Sequence, residues 1–221
     1  MSLSRRRFLV AGAALGAAFA HRRALAGPPA DPPLDPPLAA ALADVAKARA
    51  KLTTLQGPFT QVRTVALLAA KVTSTGKMWL VRPDRLRWQL DPPDAATYWV
   101  LPDALAYQTQ SGSGKIAKGS QGPLGGVLGD LLVLLGGDLA QLSTRYALTL
   151  VRRDAAGLVV HATPRDKQLA KTTRRVELEL ASDLVGLQKV TIVEVGDDRS
   201  EIVFGMLARN APVEAKLVAG P

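Results

Sequence analysis

Residues 85–90 read Arg-Leu-Arg-Trp-Gln-Leu, so charged or polar side chains alternate with large apolar ones. Such alternation is typical of a strand in an antiparallel sheet with one buried and one solvent-facing side. The same pattern recurs in residues 146–150, 175–180 and 202–206. Counting the segments between turn signals gives about ten strands. The sequence therefore predicts one large antiparallel sheet with a single apolar face.

A first helix is predicted ahead of this sheet, over residues 38–55. Its apolar residues fall at helical spacing along one face: Leu38, Leu42, Val45, Leu52 and Leu55. Lys47, Arg49 and Lys51 fall on its other faces. This pattern indicates an amphipathic helix that packs one side on the sheet.

The sheet is interrupted by two further segments. Residues 111–126 are rich in Gly and Ser and predict a flexible loop or hairpin. Residues 126–135 are apolar all round and are bounded by pairs of glycines, so a helix here must be buried on more than one side. Asp138 could cap a further short helix that runs through Leu142.

The first 26 residues have the organisation of an export signal. Adjacent arginines at 5–7 precede the apolar stretch 8–20, which is shorter than the roughly 20 residues that a membrane span needs. Residues 24–26, Ala-Leu-Ala, fit a cleavage site before Gly27. This segment resembles a twin-arginine signal peptide, with an ordinary secretory signal as the alternative. We therefore expect an exported, soluble periplasmic protein, with a proline-rich leader at 27–37 and one domain at 38–221.

The charge of the chain changes when this signal is removed. The net charge is +9, and the signal contributes five arginines and no acid, so 9 − 5 leaves +4. The remainder has neither a dense basic run nor the interleaved aromatic residues of a nucleic-acid groove, which argues against DNA or RNA binding. The absence of cysteine excludes disulfides and an acylated cysteine anchor.

Catalytic and metal-binding patterns are poorly represented in the sequence. Beyond the signal, the chain has a single histidine, His161, with no Ser or Asp motif near it. Asp197 and Asp198 follow Gly196, which is ordinary for a hairpin turn, and the glycines at 112–119 do not match a phosphate-binding loop. A pair of facing carboxylates stays possible but stands in no recognisable context. We therefore predict a non-enzymatic protein with no metal and no cofactor.

Two motifs carry a family resemblance. Phe59-Thr60-Gln61 opens the first predicted strand, and residues 76–88 read Gly-Lys-Met-Trp-Leu-Val-Arg-Pro-Asp-Arg-Leu-Arg-Trp, followed by Asp-Pro-Pro-Asp at 91–94. Together with residues 197–200 and the order helix, sheet, helices, sheet, this resembles the periplasmic outer-membrane lipoprotein carrier (LolA-like) family over about residues 38–210. The sequence departs from that family at 101–104, which replace a common Asp-Gly turn, and at 215–217, which replace an aromatic-rich ending.

The resemblance implies a mainly β (α+β) fold in which an unclosed antiparallel β-barrel, or curved sheet, carries a helical lid over an apolar cavity for acyl chains. The residues expected to line that cavity are Met78, Leu80, Leu86, Trp88, Leu90, Trp99, Leu128, Leu131, Leu132 and Leu135. The alternative is that these side chains simply fill a core. The implied partners are acylated lipoproteins or lipids, an inner-membrane transporter as donor and an outer-membrane acceptor, and we expect a monomer. A lipid- or lipoprotein-sensing regulatory module, or a carrier of another hydrophobic ligand, is the alternative on the same fold.

Arg82 is the charged residue of most interest in this pattern. By alternation it shares a face with Met78 and Leu80, and an arginine that faces an apolar interior needs hydrogen-bond acceptors. Carbonyl groups at the carboxyl end of a helix are suitable acceptors. The resemblance implies that Arg82 is a latch that holds the lid helices closed. The alternative is an arginine at a strand end that reaches solvent beside Pro83.

Overall fold

A computed structural model of the protein describes residues 34–68, 70–117 and 122–221, and gives no side-chain surroundings for residues 68 and 122–128. The predicted signal peptide and the leader as far as residue 33 lie outside the described residues. The described chain contains helix α1 (Pro36–Ala48), helix α2 (Gly122–Gly136), short 3-10 turns and twelve strands. The strands are β1 (Thr54–Val65), β2 (Ala70–Val81), β3 (Arg85–Leu90), β4 (Ala96–Val100), β5 (Ala104–Thr109), β6 (Gly112–Ala117), β7 (Tyr146–Asp154), β8 (Gly157–Pro164), β9 (Thr173–Leu180), β10 (Leu187–Glu194), β11 (Arg199–Phe204) and β12 (Ala208–Arg209).

All twelve strands belong to one sheet, in the order β6-β5-β4-β3-β2-β1-β11-β10-β9-β8-β7, with β12 paired to the start of β1. Every pairing is antiparallel. Within the described residues, the strands at the two ends, β6 and β7, are not paired with each other, so the sheet is not closed. The predicted fold class, an unclosed antiparallel sheet with few helices, is confirmed.

The predicted limits of helix α1 were wrong at both ends. The helix begins at Pro36, because proline is well suited to the first helical positions, where no backbone donor is needed. It ends at Ala48, because Thr54 already pairs with Val81 in the sheet. Leu52 therefore lies in the turn after the helix, and Leu55 belongs to β1, although both are buried as expected.

The Gly/Ser-rich segment forms the hairpin that was one of its two predicted structures, and its last residues belong to a helix. Its residues 112–117 form β6, which pairs with β5 along its full length, and residues 122–126 already belong to α2. A strand of small residues carries little sequence signal, since it buries almost no side chain. The short helix predicted after Asp138 is present as a 3-10 turn, Leu139–Thr144, and the Asp138 carboxylate accepts a hydrogen bond from Ala140 N.

The apolar core is continuous across both halves of the sheet. It combines buried side chains of α1, of α2 and of strands from β1 to β11 in one cluster. We call the face of the sheet that this cluster covers the inner face, and the opposite face the outer face. Both helices thus use their apolar sides to cover the one apolar face that the strand alternation predicts.

Candidate ligand-binding site beneath helix α2

The inner face of β2 and β3 carries most of the residues expected to line a cavity. Met78 pairs with Trp88 and Leu80 pairs with Leu86, and all four side chains are buried. Leu90 continues the same row and is half-buried. The structure therefore brings five of the expected residues together on one continuous apolar surface.

An aromatic cluster extends this surface across the centre of the sheet. The rings of Phe59 and Trp88 stack with centroids 3.8 Å apart, and Phe204 meets Trp88 edge-on at 6.2 Å. Phe59 lies over Gly76, where an added Cβ would be 2.5 Å from the Phe59 ring and 2.2 Å from the Gln89 carbonyl oxygen. Gly76 is therefore required for this stacking, which explains the glycine that opens the motif at 76–88.

Helix α2 covers the apolar row. Leu131 and Leu135 are buried and Leu132 packs against the core while half-buried, as expected; Leu134 is also buried. The side chain of Leu128 lies outside the described part of the chain. Contact with β2 is closest at Gly136, where an added Cβ would lie 2.3 Å from Leu80 Cδ2. The last turn of α2 thus rests directly on the inner face.

The structure places Trp99 on the outer face, contrary to the expected lining position. Trp99 pairs with Arg87, whereas its neighbour Tyr98 pairs with Trp88 and faces inward. Trp99 Nε1 donates to the Leu217 carbonyl at 2.9 Å. The run Ala-Thr-Tyr-Trp-Val offers two adjacent aromatic residues, so alternation alone left their sides undecided.

Arg87 contacts two tryptophans that lie on the outer face. Its guanidinium carbon is 5.2 Å from the centre of the Trp79 ring and 5.3 Å from that of Trp99, so the cation lies between the two rings. Burial lowers the pKa of Arg87. Trp99 therefore ties residue 217 to the sheet, and neither Trp79 nor Trp99 faces the site beneath α2.

Arg82 finds acceptors of the expected kind after the carboxyl end of α1. Its Nη1 donates to the carbonyl oxygens of Arg49, at 2.7 Å, and Leu52, at 3.1 Å, directly after the carboxyl end of α1. No hydrogen bond from Arg82 to α2 is seen among the described residues. Only the stem of Arg82 approaches α2, where an added Cβ on Gly136 would lie 3.4 Å from Arg82 Cγ. Its role as a latch stays a prediction.

Arg49 binds the carboxyl end of α2. The sequence predicts it in a longer first helix, on a face other than the apolar one. Its side chain is only 1% exposed. Arg49 Nη1 donates to Leu134 O at 2.8 Å and to Gly137 O at 3.4 Å, and Nε donates to Val185 O at 3.2 Å. Burial, with the nearby charge of Arg82, lowers the pKa of Arg49 to about 10, so it is still a cation at neutral pH.

A second polar contact holds the middle of α2. Asp130, 7% exposed, accepts a hydrogen bond from the Tyr146 hydroxyl and forms an ion pair with Arg145. Burial raises the pKa of Asp130, although the Tyr146 hydrogen bond and the Arg145 charge act in the opposite direction. The cavity beside this cluster, lined also by Leu134 and Val176, measures about 20 Å³, which is room for about one water molecule.

The described residues give little support for a metal site or a membrane-spanning helix. Across 34–68, 70–117 and 122–221, no three His, Cys, Asp or Glu side chains lie close enough to hold a metal ion. None of the helices in that part of the chain is long and apolar enough to cross a membrane. His161 lies half-buried on β8, where it pairs with Thr149 and Glu177 through the backbone.

Comparison with known proteins places this architecture in a family. The family model described as outer membrane lipoprotein carrier protein LolA matches residues 50–98 and 127–218. An outer-membrane lipoprotein carrier protein of Alkalilimnicola ehrlichii is 34% identical over 97 residues, which are 40% of this chain and 45% of that protein. The match thus spans less than half of that relative.

Two solved structures align with most of this chain. A chain of the MucA/MucB complex of Pseudomonas aeruginosa has 21% identity and a TM-score of 0.47, over 82% of this chain and 60% of that one. An uncharacterized conserved protein of Thermus thermophilus has 9% identity and a TM-score of 0.50, over 82% and 92% of the two chains. Because the family model covers more than half of the sequence, on both sides of the sheet's centre, this protein belongs to the LolA family of outer-membrane lipoprotein carrier proteins.

Proposed function

We propose that this protein is a non-enzymatic periplasmic carrier that holds the acyl chains of lipoproteins on the inner face of its sheet and moves them from the inner toward the outer membrane. The observation that carries the proposal is the continuous apolar row on β2 and β3, which is covered by a single helix. Acyl chains have no polar groups to satisfy along their length, so an apolar surface of this kind suits them.

Helix α2 has the properties of a removable lid. Five of its fifteen residues are glycine, and each glycine within a helix costs about 1 kcal/mol relative to alanine. Its helical state therefore depends on packing of its leucines against the sheet. The described cavity beside Asp130, of about 20 Å³, has no room for an acyl chain, so a chain would enter there only after α2 moves.

Closure of the empty site would make release possible. Burying an acyl chain of about 15 methylenes stabilises the complex by roughly 12 kcal/mol before any costs, at about 0.8 kcal/mol per methylene. Closure of α2 buries Leu131, Leu134 and Leu135, each of which contributes about 1.5–3 kcal/mol. The closed state thus competes with the ligand for the same surface and lowers the net affinity. Hand-over to a membrane partner then needs less energy than release from a site that stays open.

By analogy with the family, the donor is an inner-membrane transporter and the acceptor lies at the outer membrane. The specific test of the carrier function is native mass spectrometry of the protein purified from the periplasm, with chemical identification of whatever is bound. We expect a lipoprotein. A free lipid in its place would redirect the proposal to a lipid shuttle, and a protein free of lipid and lipoprotein would contradict it.

A matched pair of variants locates the bound ligand. Leu90→Asp places a charge in the apolar row on β3 and should abolish ligand binding, because an acyl chain lying on that row would bury an unpaired carboxylate. Leu67→Asp makes the same change at a side chain that is 93% exposed and should bind as wild type does. Equal binding by both variants would place the ligand elsewhere.

A further inference from the structure

Among the residues that the structure describes, no negative charge is paired with the buried guanidinium group of Arg49. All three of its acceptors are backbone carbonyl groups, on Leu134, Gly137 and Val185. Its Nη2 has no hydrogen-bond partner in the part of the chain that the structure describes. A buried cation with an unused donor is a costly arrangement in the closed protein.

The charges around Arg49 do not neutralise it. Arg82 lies nearby, repels it and donates to the carbonyl of Arg49 itself. Asp183 attracts it more weakly than Arg82 repels it, and the Asp183 carboxylate is already bound by Arg209 and by the backbone amides of Val185 and Gly186. The surroundings of Arg49 are therefore rich in positive charge and still able to accept an electron-rich group.

Displacement of α2 would change the surroundings of Arg49 most. Two of its three acceptors, Leu134 O and Gly137 O, belong to the end of α2 or directly follow it. That same turn packs on Leu80 of the inner face through Gly136. When α2 leaves, Arg49 loses both carbonyls and lies at the end of the newly uncovered apolar row.

We propose that Arg49 is the polar anchor for the bound ligand. With α2 displaced, its guanidinium donates to the ester carbonyl oxygens that join acyl chains to their head group, in place of the carbonyls of Leu134 and Gly137. Arg49 thereby exchanges one carbonyl acceptor for another. Ester carbonyls occur where an apolar chain meets its polar head group, and Arg49 lies where the apolar row ends, so the two positions match. Arg82 acts as a positioning residue, because it holds the backbone of Arg49. This inference rests on the proposed carrier function.

The test compares two synthetic diacylglyceryl-cysteine peptides that differ only in having ester or ether links to the same chains. The ether form keeps the apolar chains and lacks the carbonyl acceptors. Wild-type protein should bind the ester form about tenfold more tightly, a difference of about 1.4 kcal/mol, as measured by titration calorimetry. Arg49→Met should remove this preference, whereas Arg63→Met, a change at an arginine paired with Glu194 and Asp198 at the surface, should keep it.

Each outcome separates the anchor from the carrier. Equal binding of the two peptides by wild-type protein would overturn the role of Arg49 and leave the carrier function standing. Failure to bind either peptide would contradict the carrier function itself. Because this comparison is made on wild-type protein, it stays decisive even if Arg49→Met does not fold. Repeating the comparison with the ester and ether forms of a glycerophospholipid shows whether lipoproteins or free phospholipids supply the carbonyls. A preference for the ester form with either class of ligand supports the anchor.

Discussion

Gly136→Ala is the sharpest test of whether α2 is a lid. This glycine is the last residue of α2, and an added Cβ would lie 2.3 Å from Leu80 Cδ2, whose side chain is fully buried. The substitution therefore pushes the end of α2 away from the inner face. It adds a single methyl group and removes no hydrogen bond, so the steric effect is isolated.

The size of the effect follows from two opposing contributions. Overpacking of a tight core site costs about 1–3 kcal/mol, whereas alanine in place of glycine improves helix propensity by up to about 1 kcal/mol. With a mid-range overpacking cost of about 2 kcal/mol and a gain of up to about 1 kcal/mol, the closed state should lose about 1–2 kcal/mol relative to the open one. That difference corresponds to about a 5- to 30-fold shift in the equilibrium.

Two measurements report this shift. Hydrogen exchange of the α2 amides should become faster by that factor, while exchange in the central strands should stay unchanged. The affinity for a fluorescent fatty acid should rise by a similar factor, because less of the binding energy is spent on opening the lid.

Gly129→Ala is the matched control, since it makes the same change on the same helix. No atom lies within 4 Å of the added Cβ, so only helix propensity changes and α2 amide exchange should slow. The reasoning would be refuted if Gly136→Ala lowered the overall stability but left α2 exchange and fatty-acid affinity unaltered. Helix α2 would then be a fixed part of the core.

Three further outcomes are expected. Arg82→Leu removes the hydrogen bonds to the carbonyls after α1. If Arg82 is a latch, this variant binds acylated cargo but releases it slowly in a transfer assay. Unchanged release would contradict the latch. Burial raises the pKa of Asp130 above 3.8, so the folded state favours the protonated carboxyl group. The stability that this protonation contributes is fully present below about pH 4 and is lost as the pH rises through the raised pKa. Urea unfolding should therefore show wild type losing stability relative to Asp130→Asn from pH 4 to 7, and a constant difference would contradict this. Trp99→Phe loses the bond to Leu217 O and should lower the free energy of unfolding by about 0.5–1.5 kcal/mol without changing fatty-acid affinity; a change in affinity would return Trp99 to the binding site.

Local patterns were sufficient to predict the sheet and its apolar face. Leu86, Trp88 and Leu90 face inward because neighbouring residues of a strand point to opposite sides, which is a property of the strand alone. The all-round apolar character of α2 likewise required burial wherever the helix packed. These predictions depend only on residues that are neighbours in sequence.

Positions that depend on a partner strand were not predictable in this way. The end of α1, and with it the inward direction of Arg49, depends on where β1 starts to pair with β2. Residues 112–117 form a strand because β5 offers them hydrogen bonds, and their own small side chains give no such preference. At the end of α1 the pairing of β1 with β2, and at residues 112–117 the hairpin pairing with β5, decides the structure where the local pattern is weak.

The sequence by itself determined an antiparallel sheet with one apolar face and a very apolar covering helix, since hydrophobic spacing fixes which side of each element must be buried. Only the tertiary structure decided that Tyr98 and not Trp99 faces inward, and that Arg49 and not Arg82 binds the end of α2. The physical reason is that both choices depend on strand register and on the point where a helix stops, which are fixed by contacts between segments far apart in the chain.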